Sequence, residues 1–152
     1  MKYELLIDDT ITFFGVQLFR IKALISFGGV KKGEVGGYVE NKKNLSQSGN
    51  AWVYGNAKVY GNAWVSGDAW VSGDAEVYGD ADYIVFKNNW SSGRYFTYTK
   101  SNKKWKVGCF YGNSEELVEK AYKDSKKSGD FYKSYVEFVE KLEAIENGHK
   151  EQ

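Results

Sequence analysis

Between Gly49 and Ile84 the sequence runs GNAWVY GNAKVY GNAWVS GDAWVS GDAEVY GDADYI, six hexapeptides without an insertion. A helical period of about 3.6 residues would scatter the Ala and Val residues over every face, and units this short are not helical repeats. An extended chain suits them better. Ala51 and Val53, and their equivalents as far as Ala75 and Val77, lie two apart and share one side of a strand, the expected core side. Gly55, Gly61, Gly67, Gly73 and Gly79 fall at corners, where a Gly-Asn or Gly-Asp pair takes up positive φ and its polar side chain satisfies the turn.

The run Val53-Tyr54-Gly55-Asn56-Ala57, an aliphatic residue, three variable positions and a small residue, resembles the hexapeptide-repeat left-handed β-helix. The hand comes only from the resemblance, because parallel crossovers are otherwise right-handed. Three hexapeptides per coil would set residues 18 apart above one another at the strand spacing of ~4.8 Å. The expected ladders are Trp52 over Trp70, Tyr60 over Tyr78, Asn56 over Asp74, and Lys58 over Glu76 as an ion pair. Val39 and Leu45, in phase with the alanines, would place Gly37 to Ser48 in a further coil.

So short a stack needs capping at its ends. Residues 2–7 and 17–24 alternate apolar and polar side chains and read as a hairpin, with 17–25 also open to a helical reading. Gly28 to Tyr38 is a glycine-rich lead-in, without the order of a phosphate loop. Beyond the repeat, 82–87, 94–100 and 104–111 read as a β-meander, with Trp105, Val107 and Cys109 on one face and Lys104 and Lys106 on the other. Asn113 with Glu116 forms a capping box for one helix, a second starts near Asp130 and ends at Asn147-Gly148, and the tail from His149 is expected to be disordered. The expected fold is mainly β with a C-terminal α+β cap: a short left-handed parallel β-helix over 37–84, an N-terminal β-hairpin and lead-in over 1–36, and a β-meander with two helices over 85–152.

The formal net charge of +1 argues against wholesale binding to nucleic acid or a membrane surface. Within it, residues 49–84 are acidic and 85–111 basic, with Arg94, Lys100, Lys104 and Lys106 as a candidate basic face. No apolar run approaches the roughly 20 residues of a membrane span and no signal peptide is present, so a cytoplasmic location is expected. Cys109 is the single cysteine, which rules out an internal disulfide and a cysteine metal cluster. It reads as an inert thiol in a strand core.

Over nearly the whole chain, GGYVENKKNLSQSGNAWVYGNA, VGCFYGNSEELVEKA and the terminal helix resemble a group of phage- and prophage-encoded hexapeptide-repeat proteins often labelled polymer-forming or cytoskeletal-like. Where that group has CGCF and THGDN, this chain has Val107-Gly108-Cys109-Phe110 and Lys127-Ser128-Gly129-Asp130, so no thiol pair or histidine role carries over. Better-known left-handed β-helices are acyltransferases with a histidine base, or carbonic anhydrases with three histidine zinc ligands. The lone His149 in the tail supplies neither, and Asp68, Asp74, Asp80 and Asp82 read as turn residues rather than calcium ligands. Neither an enzyme nor a cofactor is expected.

What remains is surface. Trp52, Trp64 and Trp70 occupy outward positions between Ala and Val, and Tyr54, Tyr60 and Tyr78 follow Val. Left in water, each would forgo ~1.5–3 kcal/mol of burial, so something should cover them. Three covers stay open: the chain's own C-terminal helices, symmetry mates in a dimer or trimer, or a foreign partner. The expected function is a non-catalytic, phage-derived module that binds a host bacterial protein and inhibits a defence complex by occlusion, in the manner of an anti-CRISPR. A self-assembling structural or virion-associated protein is the alternative, with a hexapeptide acyltransferase behind it. A third surface, Trp90, Arg94, Tyr95, Tyr98 and Trp105, would suit stacking on single-stranded nucleic acid, but no known motif supports it and a nucleic-acid partner is not expected.

Overall fold

A computed structural model describes residues 1–150 and divides the chain into two compact units, Met1–Tyr111 and Gly112–Gln152. In the first unit, β1 (Tyr3–Phe13) and β2 (Val16–Ala23) form an antiparallel hairpin. Its tip is Phe14-Gly15, both at positive φ (49° and 81°), the backbone that a two-residue hairpin turn requires. β2 continues antiparallel onto β3 (Val35–Val39) through Phe19 opposite Val39 and Arg20 opposite Tyr38.

The repeats supply two-residue strands: β4 (Trp52–Val53), β5 (Lys58–Val59), β6 (Trp70–Val71) and β7 (Glu76–Val77). They pair in parallel at the 18-residue spacing, Trp52 with Trp70 and Lys58 with Glu76. Backbone N–H groups of one row reach carbonyls of the next, Trp52 to Ala69 at 3.1 Å, Asn56 to Gly73 at 3.0 Å and Lys58 to Ala75 at 2.9 Å. Leading into the repeat, Tyr38 pairs with Lys58, Val39 with Val59 and Leu45 with Val65. These partners lie 20 residues on, so Val39 and Leu45 are in phase with the valines rather than the alanines. The short 3-10 turn Lys42–Asn44 lies between them, and Asn44 fastens it to the next row, donating to Ala63 O at 2.9 Å and Gly61 O at 3.3 Å. Ala51, Ala57, Val59, Val65, Val71 and Val77 are buried with Trp52 in one core.

The expected short left-handed parallel β-helix is nevertheless not the architecture. There are three sheets: a mixed five-stranded one in the order β1-β2-β3-β5-β7, a parallel pair β4-β6, and an antiparallel one of four strands. The physical reason lies at β3. Its outer edge has no earlier repeat to pair with, and the hairpin takes that place as an antiparallel extension of the sheet instead of standing apart as an end cap.

The four-stranded sheet, β11-β10-β9-β8, comprises β8 (Tyr83–Lys87), β9 (Tyr95–Thr99), β10 (Lys104–Val107) and β11 (Phe110–Gly112). The stretch 104–111 is therefore two strands, because Gly108 takes φ 56° and turns the chain. One face of this sheet gathers Phe86, Phe96, Tyr98 and Trp105, with ring centroids 4.7–6.2 Å apart. The other face meets the last repeat row. There Thr97 Oγ1 accepts the N–H of Trp70 at 3.0 Å and Ser101 Oγ accepts that of Glu76 at 2.8 Å, while Asp82 Oδ2 takes those of Tyr78 and Gly79 at 3.0 Å.

At the opposite edge the donors are side chains. Lys2, 2 % exposed, points its ammonium at the carbonyls of Ala51 (2.9 Å), Ser48 and Gly49 (both 3.5 Å), and the Tyr3 hydroxyl donates to Leu45 O at 2.6 Å. Arg20 donates to Gly36 O at 2.8 Å and Gly55 O at 3.2 Å.

In the second unit, α1 (Ser114–Asp124) starts at the expected box, Asn113 Oδ1 accepting from Glu116 N at 2.9 Å and Glu116 Oε1 from Asn113 N at 3.0 Å. Leu117 and Ala121 are buried, as are Tyr132, Val136 and Val139 of α2 (Lys126–Lys150). α2 begins earlier than expected, because Ser125 Oγ accepts the N–H of Ser128 and Lys126 pairs with Asp130 at 2.8 Å. It also runs through Asn147-Gly148 and includes His149; the remaining tail residues, 151–152, lie outside the described residues.

Two outcomes follow from the closed edges. Thr97→Val keeps the shape but orphans the Trp70 N–H, so it should cost about 1–3 kcal/mol in denaturant unfolding and speed hydrogen exchange at that amide. Burial pushes the Lys2 ammonium down to about 8 from 10.5. Between those values the unfolded chain holds a proton that the folded chain has released, so stability rises with pH across that window. Measured against Lys2→Met, the wild type should gain on the order of 1–3 kcal/mol from pH 8 to pH 10.5.

Candidate functional site

The outward aromatics of the repeats have three different fates. Trp52 is fully buried, held edge-on by Tyr3 at 6.3 Å and Phe27 at 5.3 Å. Its expected place on a partner-binding or oligomer face is corrected: the cover is the chain's own N-terminal segment, a source the alternation of the repeat does not reveal. Trp70, in register with Trp52, is half-buried against Tyr54, 5.9 Å away and edge-on, and its Nε1 donates to Asn50 O at 3.3 Å. Trp64 is 53 % exposed, and its carbonyl accepts from the Tyr83 hydroxyl at 2.7 Å.

Tyr60 and Tyr78 stack as expected, centroids 5.8 Å apart. The stripe they begin extends beyond the repeat. Phe13 lies edge-on to Tyr60 at 5.8 Å, and Phe14 on Phe13 at 4.6 Å. Phe14 is 90 % exposed and Tyr78 59 %. This stripe is edged by acids. Burial and the nearby charges of Glu76 and Asp82 hold the Tyr60 hydroxyl above its ordinary pKa, and Glu40 Oε1 accepts the N–H of Gly61 at 2.8 Å. Lys58 Nζ lies 5.1 Å over the Phe13 ring and donates to Asn56 O at 3.3 Å, so the ion pair expected with Glu76 is not formed although the two residues are in register. The sequence reading missed Phe13 and Phe14; the available signal was Phe14-Gly15 as a two-residue turn between alternating runs.

The basic residues do not act as one face. Lys104 sits 5.8 Å over the Tyr111 ring, beside Asp74, whose carboxylate is held below its ordinary pKa chiefly by a 2.9 Å hydrogen bond from Asn102 Nδ2. Lys100 donates its backbone N–H to Asp82 O at 3.0 Å. Arg94 and Lys106 instead meet in a cleft of about 320 Å³ with Tyr54, Trp70, Gly28, Gly29, Gly108 and Cys109. Cys109 is exposed, not a strand-core thiol, because the turn at Gly108 swings it to the side where Lys106 lies. Tyr98 and Trp105 are buried, so the five residues named as suited to stacking on single-stranded nucleic acid do not form one exposed surface.

Among the described residues no three His, Cys, Asp or Glu side chains gather as a metal-binding group. No described helix is long and apolar enough to cross a membrane. The sequence matches no protein-family model and no curated protein.

The different fates of the tryptophans are separable by mutation. Trp52→Ala should cost about 3–5 kcal/mol of unfolding free energy, whereas Trp64→Ser should cost less than about 1 kcal/mol, both read from urea denaturation.

Proposed function

We propose that this chain is a non-catalytic binding module that occludes a partner protein through the stripe Phe14, Phe13, Tyr60 and Tyr78. The observation that carries this reading is the exposure of Phe14 and Tyr78 in an aromatic stripe edged by three carboxylates, Glu40, Glu76 and Asp82, against the one ammonium of Lys58. Aromatic side chains are the usual anchors of interface hot spots, and a carboxylate border favours a partner with a basic surface. Proteins that handle nucleic acid present such surfaces. Joined to the resemblance to phage-encoded chains, this supports inhibition of a bacterial defence complex, with the aromatic stripe seated on the basic surface of a nucleic-acid-handling effector.

The test uses phage infection of cells that carry one defence system each, with the protein or its Phe14→Ser/Tyr78→Ser variant expressed. Both side chains are exposed, so the variant should keep the wild-type thermal midpoint. Restored plaque formation with the wild type, lost by at least about tenfold with the variant, together with displacement of nucleic acid from the purified effector, is the expected result. Unchanged restriction in every strain sinks the proposal. Filaments or defined oligomers that the variant dissolves would assign the stripe to self-assembly instead.

A further inference from the structure

The cleft where the repeat row meets the four-stranded sheet has a composition that the aromatic stripe does not use. One wall is Tyr54 and Trp70, from successive rows; the other carries Arg94, ahead of β9, and Lys106 of β10. Lys106 Nζ stands 5.7 Å over the Tyr54 ring, and neither Lys106 nor Arg94 has a carboxylate partner among the described residues. Two cations thus line one cleft with two aromatic rings set edge to face.

Glycine turns form part of the lining. Gly28 and Gly29, both at positive φ, form the tight turn that closes Phe27 onto Val30, and a Cβ on Gly29 would meet nothing within 4 Å. Gly108 is favoured by its φ of 56°, and the space a Cβ would take there is filled by the Arg94 guanidinium. Arg94 therefore packs directly on the turn that carries Cys109. Burial first, and then the charge of Glu34, raises the Tyr54 hydroxyl to about 12, so Tyr54 stays a neutral ring and donor.

We infer that this cleft binds a nucleoside monophosphate, its base against Trp70 and its phosphate between Arg94 and Lys106. A volume of about 320 Å³ lies within the range of small-ligand sites. Guanidinium and ammonium groups supply charge-assisted bonds to phosphate oxygens, and a π-face accepts any base. Burial lowers the Lys106 pKa, and a bound anion relieves the cost of keeping that ammonium charged. This site is separate from the Phe14–Tyr78 stripe, and either can fail without the other.

Isothermal titration calorimetry of the full chain with AMP, UMP, adenosine and inorganic phosphate tests it. AMP and UMP should bind, with adenosine and phosphate each at least about tenfold weaker. Arg94→Gln and Lys106→Gln should each weaken AMP by about tenfold or more at an unchanged thermal midpoint, and Tyr78→Ser should leave it unaltered. Absence of heat with both nucleotides at millimolar concentration, phosphate binding as tightly as AMP, or affinity that survives both substitutions would each overturn the proposal. So would a deoxythymidine oligonucleotide that binds more tightly than UMP with a salt dependence growing with length, which would make the cleft part of a single-strand track.

Discussion

The parallel backbone pairing between repeat rows is the interaction on which the rest of the first unit depends. Each paired segment is only two residues long, so no row gains much from its own ladder bonds, and the stack holds because Ala and Val from every row close one core. Such a stack has two open edges whose amides and carbonyls cannot be left buried and unbonded. The flanking chain closes both, by different means. On the first side a sheet extension through β3 and the side-chain donors Lys2, Tyr3 and Arg20 meet carbonyls. On the last side the acceptors Thr97, Ser101 and Asp82 meet N–H groups.

This closure decides which aromatic surface is left over. The segment that brings Lys2 and Tyr3 to the first edge also lays Tyr3 and Phe27 on Trp52, turning an outward tryptophan into the largest side chain of the core. Seating the meander on the last row brings Arg94 and Lys106 to Trp70 and Tyr54. Tyr60 and Tyr78 receive neither cover, and the hairpin tip lengthens them into a stripe. The proposed docking surface and the proposed nucleotide cleft are thus two consequences of how the ends of one repeat are sealed.

Local and periodic features of this chain were legible from residue order. The ladders Trp52–Trp70, Lys58–Glu76 and Tyr60–Tyr78, the positive-φ corners at Gly55, Gly61, Gly67 and Gly73, the N-terminal hairpin and the Asn113–Glu116 box follow from spacing and turn chemistry, whereas Gly79, expected as a fifth corner, is extended at φ −154° because the chain there enters the short 3-10 turn Asp80–Asp82. Boundaries governed by competing local bonds were not: Ser125 and the Lys126–Asp130 pair start α2 early, and Gly148 stays helical. The single strand expected over 104–111 failed at one glycine, and with it the placement of Cys109 in a core.

By itself, then, the sequence determined the period, the side of each strand that faces inward and the residues that stack, because these depend on spacing along one chain. Tertiary structure alone decided that the five-stranded sheet is mixed, that Trp52 is core, and that Arg94 and Lys106 share a cleft with Trp70. Those outcomes turn on which distant segment satisfies an exposed edge, and period-two alternation states only that a side chain points outward, never what lies beyond it.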